Sequence, residues 1–225
     1  MDQAKIIITD DGSHTLKVEE LSEHYHSTFG AVSESKHVFI EAGLQKVLEA
    51  KRSDISILEI GFGTALNAFL TVLEMDAQSP SIHYYGIEAY PLEEKLWRNL
   101  NYPDILSDKG ADELFYKLHQ SEWGEACDIS KGFILHKIHQ KLQDYQHHGK
   151  LIDLVYFDAF GPDVQPELWT PEIFKKIADI TSPGGILVTY SCKGSVRRAL
   201  KEAGFVVEKI PGPKGKREMA RGVRC

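Results

Sequence analysis

The chain predicts an α/β fold: a doubly wound, mostly parallel sheet with one antiparallel edge strand, preceded by an N-terminal β-hairpin. Three observations carry this expectation. Apolar runs such as "ISILEIG" and "LIDLVYF" alternate with stretches of helical spacing, as strands covered on both faces of a parallel sheet require. The first of these strands ends in the glycine turn "GFG" and leads into a helical stretch, the place where open α/β sheets take their ligands. The last two strands, "FVVEKIPG" and "REMARGVR", have no helix between them, so one of them runs antiparallel.

Each element follows from its local pattern. "KIIITDDGSHTLKVEEL" reads as two short strands around a DDGS turn, a β-hairpin. "SESKHVFIEAGLQKVLEAK" reads as a helix, with Ser33 or Ser35 as N-cap and Val38, Leu44, Val47 and Leu48 on its apolar stripe. Strands are expected over 55–61, 82–89, 132–138, 151–157 and 184–190, and "WGEACDISKG" between 123 and 132 as a loop. Helices are expected over 64–75, 171–180, where Pro171 suits a first turn, and 196–204, closed by Gly204. Residues 1–50 form the hairpin and a helical extension packed on the core, and 51–225 form one structural unit.

With 225 residues, 42% apolar and 26% charged, the chain has enough material for a sizeable core. No apolar run approaches the ~20 residues of a membrane span, and the N-terminus lacks the layout of a signal peptide. Cys127, Cys192 and Cys225 are an odd number without CxxC spacing, which argues against a disulfide framework or a zinc site and for a reducing cytoplasm. The net charge of −7 is uneven: Lys193–Cys225 carries ten basic and three acidic side chains, and the first 192 residues carry 16 and 30. A polyanion is repelled by the whole and attracted by the C-terminal segment.

The stretch "LEIGFGTALN" holds the cofactor signal. Gly61 and Gly63 let a ligand approach the backbone, but a dinucleotide turn needs a third glycine where this chain has Leu66. Glu59 stands two residues before Gly61, and Glu88 ends the second strand. A carboxylate at the latter place accepts hydrogen bonds from a ribose diol. Acids around the turn suit a cationic ligand and repel a pyrophosphate. S-adenosyl-L-methionine, with a ribose, an ammonium and a sulfonium but no phosphate, meets both conditions.

The motifs "DGSHTL…HYHSTFGAVSESKHVFIEAGL", "LEIGFGTALN", "FDAFGP…PELWTPEIF" and "GPKGKREMARG" together resemble the methyltransferase domain of MnmC-type tRNA-modification enzymes, in the stand-alone form without an oxidase domain. The resemblance runs from about Asp11 to Gly222 and implies a class I S-adenosylmethionine-dependent methyltransferase fold. It implies N-methylation of the 5-aminomethyl group of wobble uridine 34 in tRNA, giving 5-methylaminomethyl-(2-thio)uridine. Asp158 is then the catalytic residue. Glu59, Gly61, Phe62, Gly63, Asn67, Glu88, Tyr25 and Ser35 belong to the cofactor site, with His37 in the same N-terminal motif. Phe160, Lys216 and Arg217 face the substrate, and Lys193, Arg197 and Arg198 extend a track for the tRNA anticodon region. The chain departs from the family pattern at Ala65, where a glycine is common, and after the third strand, where "KIHQKLQ" replaces an acid that holds the adenine. His139, Gln140 or Asp128 are the candidates for that contact. No metal and no membrane partner is implied.

Asp158 has a physical rationale besides the resemblance. A primary alkylamine, with a reference pKa of ~10.4, is an ammonium near neutral pH and must lose a proton before it attacks. An acid at the end of a buried strand binds and aims that ammonium, and desolvation narrows the gap between the two proton affinities. Phe160 adds cation–π attraction, and Trp169 is expected to pack. Two other readings fit parts of the chain. One is aminopropyl transfer to a polyamine, which predicts more acids in the cleft. The other is an inactive module that binds S-adenosylmethionine or RNA.

Overall fold

The computed structural model describes residues 4–107 and 109–225. The expected hairpin is strands β1 (Ala4–Ile8) and β2 (His14–Val18), joined by a two-residue strand β3 (Glu23–His24) into a small antiparallel sheet. Ala31–Ser35, Lys36–Leu44 and Gln45–Leu48 run on as one helix, α1, whose middle widens to π turns.

The main sheet has eight strands. In chain order they are β4 (Asp54–Ile60), β5 (Ser81–Glu88), β6 (Ala126–Ser130), β7 (Phe133–His139), β8 (Ile152–Phe157), β9 (Thr181–Thr189), β10 (Phe205–Pro211) and β11 (Glu218–Arg224). Their spatial order is β10-β11-β9-β8-β4-β5-β7-β6. The five central strands are parallel, as their two-sided burial requires. The antiparallel edge strand is β6, which pairs with β7. The stretch expected as a loop therefore contains a strand: Gly132, at φ 82°, closes a tight turn and β7 supplies the partner. β11 is also reversed and lies one place in from the other edge, between β9 and β10.

The remaining helices are α2 (Leu66–Leu73), α3 (Glu94–Trp97), α4 (Tyr102–Leu106), α5 (Ala111–Gln120), α6 (Pro171–Ile180) and α7 (Gly194–Glu202). The pleat of β4 divides the core. Ile55 and Ile57 face a cluster with Phe39 of α1, Phe69 of α2 and Phe115 of α5. Leu58 and Ile60 face the opposite cluster with Phe174 of α6 and Leu200 of α7. Each of these buried side chains contributes roughly 1.5–3 kcal/mol of transfer free energy.

Neither Ser33 nor Ser35 caps α1, whose N-cap is Gly30. The hairpin turn does so instead. Ser13 Oγ accepts from the Ala31 and Val32 N–H groups, and Asp11 Oδ2 accepts from Ser33 N–H. Gly30 is required there, because a Cβ would lie 2.6 Å from Asp11 Oδ2. The first turn of a helix leaves four N–H groups unsatisfied, and a cap 18–22 residues upstream in sequence satisfies three of them.

Burial alone would raise the Asp11 carboxyl, but hydrogen bonds from Ser13, Ser33 and Thr9 overcome it and lower the group from 3.8 to about 2. A depressed carboxyl contributes stability that is present above its unfolded value and lost as pH falls through its folded one. Asp11→Asn is therefore expected to destabilise the fold at neutral pH by the ~0.5–2 kcal/mol of a lost cap. The difference from the wild type should shrink between the unfolded value of 3.8 and the folded value of about 2. Thermal unfolding as a function of pH checks this.

Candidate active site

The carboxyl ends of β4, β5 and β8 open into a cavity of about 500 Å³, a size that suits a nucleoside-sized ligand. Its floor is the turn after β4. Gly61 and Gly63 have φ of 89° and 46°, and the Gly61 and Phe62 N–H groups both donate to Ile87 O. A Cβ on Gly61 would lie 2.6 Å from Asp158 O, so this turn and the loop after β8 are in direct backbone contact. Phe62 is among the residues that line the cavity. Its ring is buried against Gly86, where a Cβ would lie 2.4 Å away, and edge-on to Trp123. Ala65 is left-handed, at φ 59°, a conformation that costs an L-residue roughly 1–2 kcal/mol. The glycine-favouring position that the sequence departs from is thus real, and the chain tolerates the strain.

Glu88, at the end of β5, accepts from Gly63 N–H (2.9 Å) and Tyr90 N–H (2.8 Å), one bond on each oxygen. Each oxygen keeps a lone pair for a further donor. Burial raises this carboxyl against those backbone bonds. Tyr25 lies over Gly63, whose Cβ would be 3.1 Å from its ring, and meets Phe160 edge to face at 5.2 Å. The N-terminal extension thereby covers one side of the cavity.

Glu59 does not line the cavity. It is fully buried, with Oε1 accepting from Asn67 Nδ2 and Oε2 from Tyr84 OH, both at 2.8 Å. Burial pushes its carboxyl well above the usual range despite these two bonds, and the charges of Asp158 and Glu88 add to that. The other Asn67 N–H donates to Asp158 Oδ2 at 2.8 Å. One amide group, on the first turn of α2, thus bridges two carboxylates. Asp158 is itself raised, first by burial, opposed by the Asn67 bond, reinforced by Glu34 and opposed by Lys216.

The loop that carries Asp158 is fixed residue by residue. Asp158 N–H donates to Ile60 O, Tyr190 OH donates to Ala159 O, and Trp169 Nε1 donates to Phe160 O. Trp169 packs as expected, and it also sets the backbone of Phe160.

The other expected site residues divide. Lys216 lines the cavity, but turned inward: its Nζ is 2.8 Å from Glu34 Oε1 and 4.0 Å from the centre of the Tyr190 ring. The Arg217 side chain is 90% exposed beside Glu218 and lies outside the cavity. Ser35 is buried in α1 and does not line the cavity, although its neighbour Glu34 does, and His37 ties α1 to Pro211 O. Of the three adenine candidates, Gln140 lines the cavity, while His139 and Asp128 do not. Much of the basic C-terminal segment is tethered within the chain: Lys193 to Asp163, Lys209 to Glu218, Lys214 to Asp10 and Arg221 to Glu208. Glu34 and Tyr190 escaped the sequence reading, because neither lies in a recognisable ligand motif and only the tertiary fold brings them beside Asp158.

Five acids (Glu23, Glu34, Glu88, Asp158, Glu167) and two lysines (Lys141, Lys216) line the cavity. That balance, the open lone pairs of Glu88 and the Asn67 Oδ1, buried without a partner among the described residues, fit a cationic nucleoside ligand such as S-adenosylmethionine. Among the described residues there is no cluster of metal-binding side chains, and no helix is long and apolar enough to cross a membrane.

A glycine turn after the first parallel strand, an acid ending the second and this sheet order define a class I S-adenosylmethionine-dependent methyltransferase. Residues 119–225 match the family described as S-adenosyl-L-methionine-dependent methyltransferase. The chain is 31% identical, over 88% of its length, to the tRNA 5-methylaminomethyl-2-thiouridine biosynthesis bifunctional protein MnmC of Pseudomonas entomophila, of which it covers 32%. It is 29% identical, over 99% of its length, to the MnmC protein of Aromatoleum aromaticum, covering 36% of that protein. The crystal structure of MnmC2 from Aquifex aeolicus is similar over 99% of this chain and 70% of that one, with a TM-score of 0.77 and 25% identity. The chain is similar to the methyltransferase domain of MnmC-type proteins, and it spans about a third of the length of the bifunctional relatives.

Two outcomes follow from this geometry. Asn67→Leu leaves two buried carboxylates without their shared donor, at a cost of about 1–3 kcal/mol. The thermal midpoint should fall by several degrees, since each kcal/mol moves a domain of this size by ~2–4 °C; an unchanged midpoint would show that the bridge adds nothing. Gly61→Ala drives a methyl group into the Asp158 carbonyl, so calorimetric binding of S-adenosylmethionine should weaken at least ~10-fold, the effect of ~1.4 kcal/mol.

Proposed function

We propose that this protein methylates the nitrogen of the 5-aminomethyl group on wobble uridine 34 of tRNA. The observation that carries the reading is Asp158: a carboxylate raised by burial, on the floor of a mostly acidic cavity, beside the glycine turn and the Tyr25–Phe160 pair. The MnmC relatives, proteins of 5-methylaminomethyl-2-thiouridine biosynthesis in tRNA, support the same reading.

Glu88, Gly61 and Gly63 are the residues that would hold S-adenosylmethionine, with Gln140 on the adenine side and Asn67 toward its charged end. When bound, this cofactor supplies an electrophilic methyl carbon on a sulfonium. The task of the chain is then to present a neutral amine in line with that carbon, and positioning of this kind is worth up to ~7–11 kcal/mol. Asp158 binds the incoming ammonium through a charge-assisted hydrogen bond and is the acceptor for its proton. Its raised proton affinity brings it closer to the amine it must deprotonate. Tyr25 and Phe160 flank this position and exclude water from it. The RNA backbone would lie along the exposed basic side chains of the C-terminal segment, among them Arg217 and Arg198.

The test is incorporation of labelled methyl from S-adenosylmethionine into tRNA from cells lacking the activity, followed by nucleoside mass analysis. Label in 5-methylaminomethyluridine is expected, with a loss of at least ~100-fold in Asp158→Ala, the usual size of a general-base contribution. Five acids in the cavity also suit a polyamine, so spermidine is the control acceptor. Transfer to spermidine and none to tRNA would overturn the assignment.

A further inference from the structure

Lys216, Glu34 and Tyr190 come from three separate segments and line the cavity together with Asp158. Lys216 Nζ is bonded to Glu34 Oε1 at 2.8 Å and sits 4.0 Å from the centre of the Tyr190 ring. Glu34 is only 10% exposed, and its second oxygen accepts from Ser27 N–H at 2.7 Å. Tyr190 is fixed in turn by its bond to Ala159 O, one residue from Asp158.

The backbone of Lys216 is equally constrained. It lies in the loop between β10 and β11, where Lys216 N–H donates to Pro213 O and Gly212 N–H to Arg217 O. Gly215, at φ 87°, lies flat on Phe29, whose ring atoms would be 2.4 Å from a Cβ there. Lys214 bonds to Asp10 at 3.0 Å and covers the same ring. This loop is clamped onto the N-terminal extension, with the ammonium of Lys216 directed into the cavity. A lysine reaching for RNA phosphate would point outward, as Arg217 does.

We infer that Lys216, clamped by Glu34 and Tyr190, is a fixed internal cation that lowers the proton load on the pair formed by Asp158 and the acceptor amine. The inference rests on the amine-methylation reading above. A second positive charge beside an ammonium disfavours it, as it does for lysines activated by a cationic neighbour. The groups facing Lys216 are few. Glu34 comes from α1, Asp158 from the end of β8, Tyr190 from the end of β9 and His26 from the N-terminal extension. His26 is held neutral by burial, which lowers it to about 4. Glu23 acts on Tyr190 from the same extension. Burial raises Asp158 most and the Asn67 bond opposes it; Lys216 and Glu34 then act on it with opposite sign, so that changing either one moves its proton affinity in a known direction. Lys216 is a positioning residue in this scheme: it neither touches the transferred methyl nor accepts the proton.

The opposite signs give the test. Single-turnover methyl transfer at saturating tRNA bearing 5-aminomethyluridine is measured between about pH 6 and 9, where such a limb reports the bound pair. In Lys216→Met the rising limb should move up by roughly one pH unit, the usual effect of losing one nearby charge. Its rate should then be about tenfold low on the acid side and converge with the wild type at high pH. Lys216→Arg should keep the wild-type limb, and Glu34→Gln should move it down. Equal slowing of Lys216→Met at every pH, or an unmoved limb, overturns the inference; if that variant does not fold, the direction of the Glu34→Gln limb decides. A wild-type protein that transfers nothing to this tRNA overturns the substrate reading and this inference with it. Wild-type transfer with unmoved limbs overturns this inference alone.

Discussion

The structure of the site depends on one amide group. Asn67 donates one N–H to Glu59 and the other to Asp158, and no other described side chain links the two carboxylates. Burying two acids this close is expensive unless each is hydrogen-bonded. The amide satisfies both at once, from the first turn of a helix that the glycine turn itself starts. Strand β4, helix α2 and the loop after β8 are joined through this amide, in addition to the backbone bond from Asp158 N–H to Ile60 O. Glu59 is the structural end of this bridge and Asp158 the chemical end.

A second constraint comes from the ends of the chain. The hairpin turn caps α1 through Asp11 and Ser13, and the loop between β10 and β11 seats on Phe29 and reaches Glu34. The N-terminal extension and the β10–β11 loop thus converge on the rim of a cavity whose floor is made by the middle of the sequence. Without these contacts, Tyr25, Glu34 and Lys216 would lie on unconnected surface segments, and the acid balance around Asp158 would be that of an open strand edge.

The parts of the site that were legible in the sequence are those fixed by backbone requirements. Gly61 and Gly63 announced a turn that needs positive φ, and Glu88 and Asp158 announced themselves as acids ending buried strands. Pro171 placed the start of α6 for the same kind of reason. Glu59 was misread, because a carboxylate before a glycine turn looks the same in sequence whether it faces a ligand or Tyr84. Lys216 was expected to face the substrate, and its bond to Glu34 was not legible for a similar reason: side-chain direction in a hairpin loop follows from what the loop packs on. Strand β6 was missed because "ACDIS" has no apolar alternation strong enough to stand without β7 beside it.

By itself, the sequence determined the alternation of strands and helices, the parallel sheet and the ligand end of that sheet. All of these follow from short-range periodicity and from turns that admit few residue types. The tertiary structure alone decided which acids meet the ligand and which support it, what caps α1, and where the ammonium of Lys216 points. Those depend on contacts between segments up to 182 residues apart, and no local pattern encodes the partner of a charge brought to it only by folding.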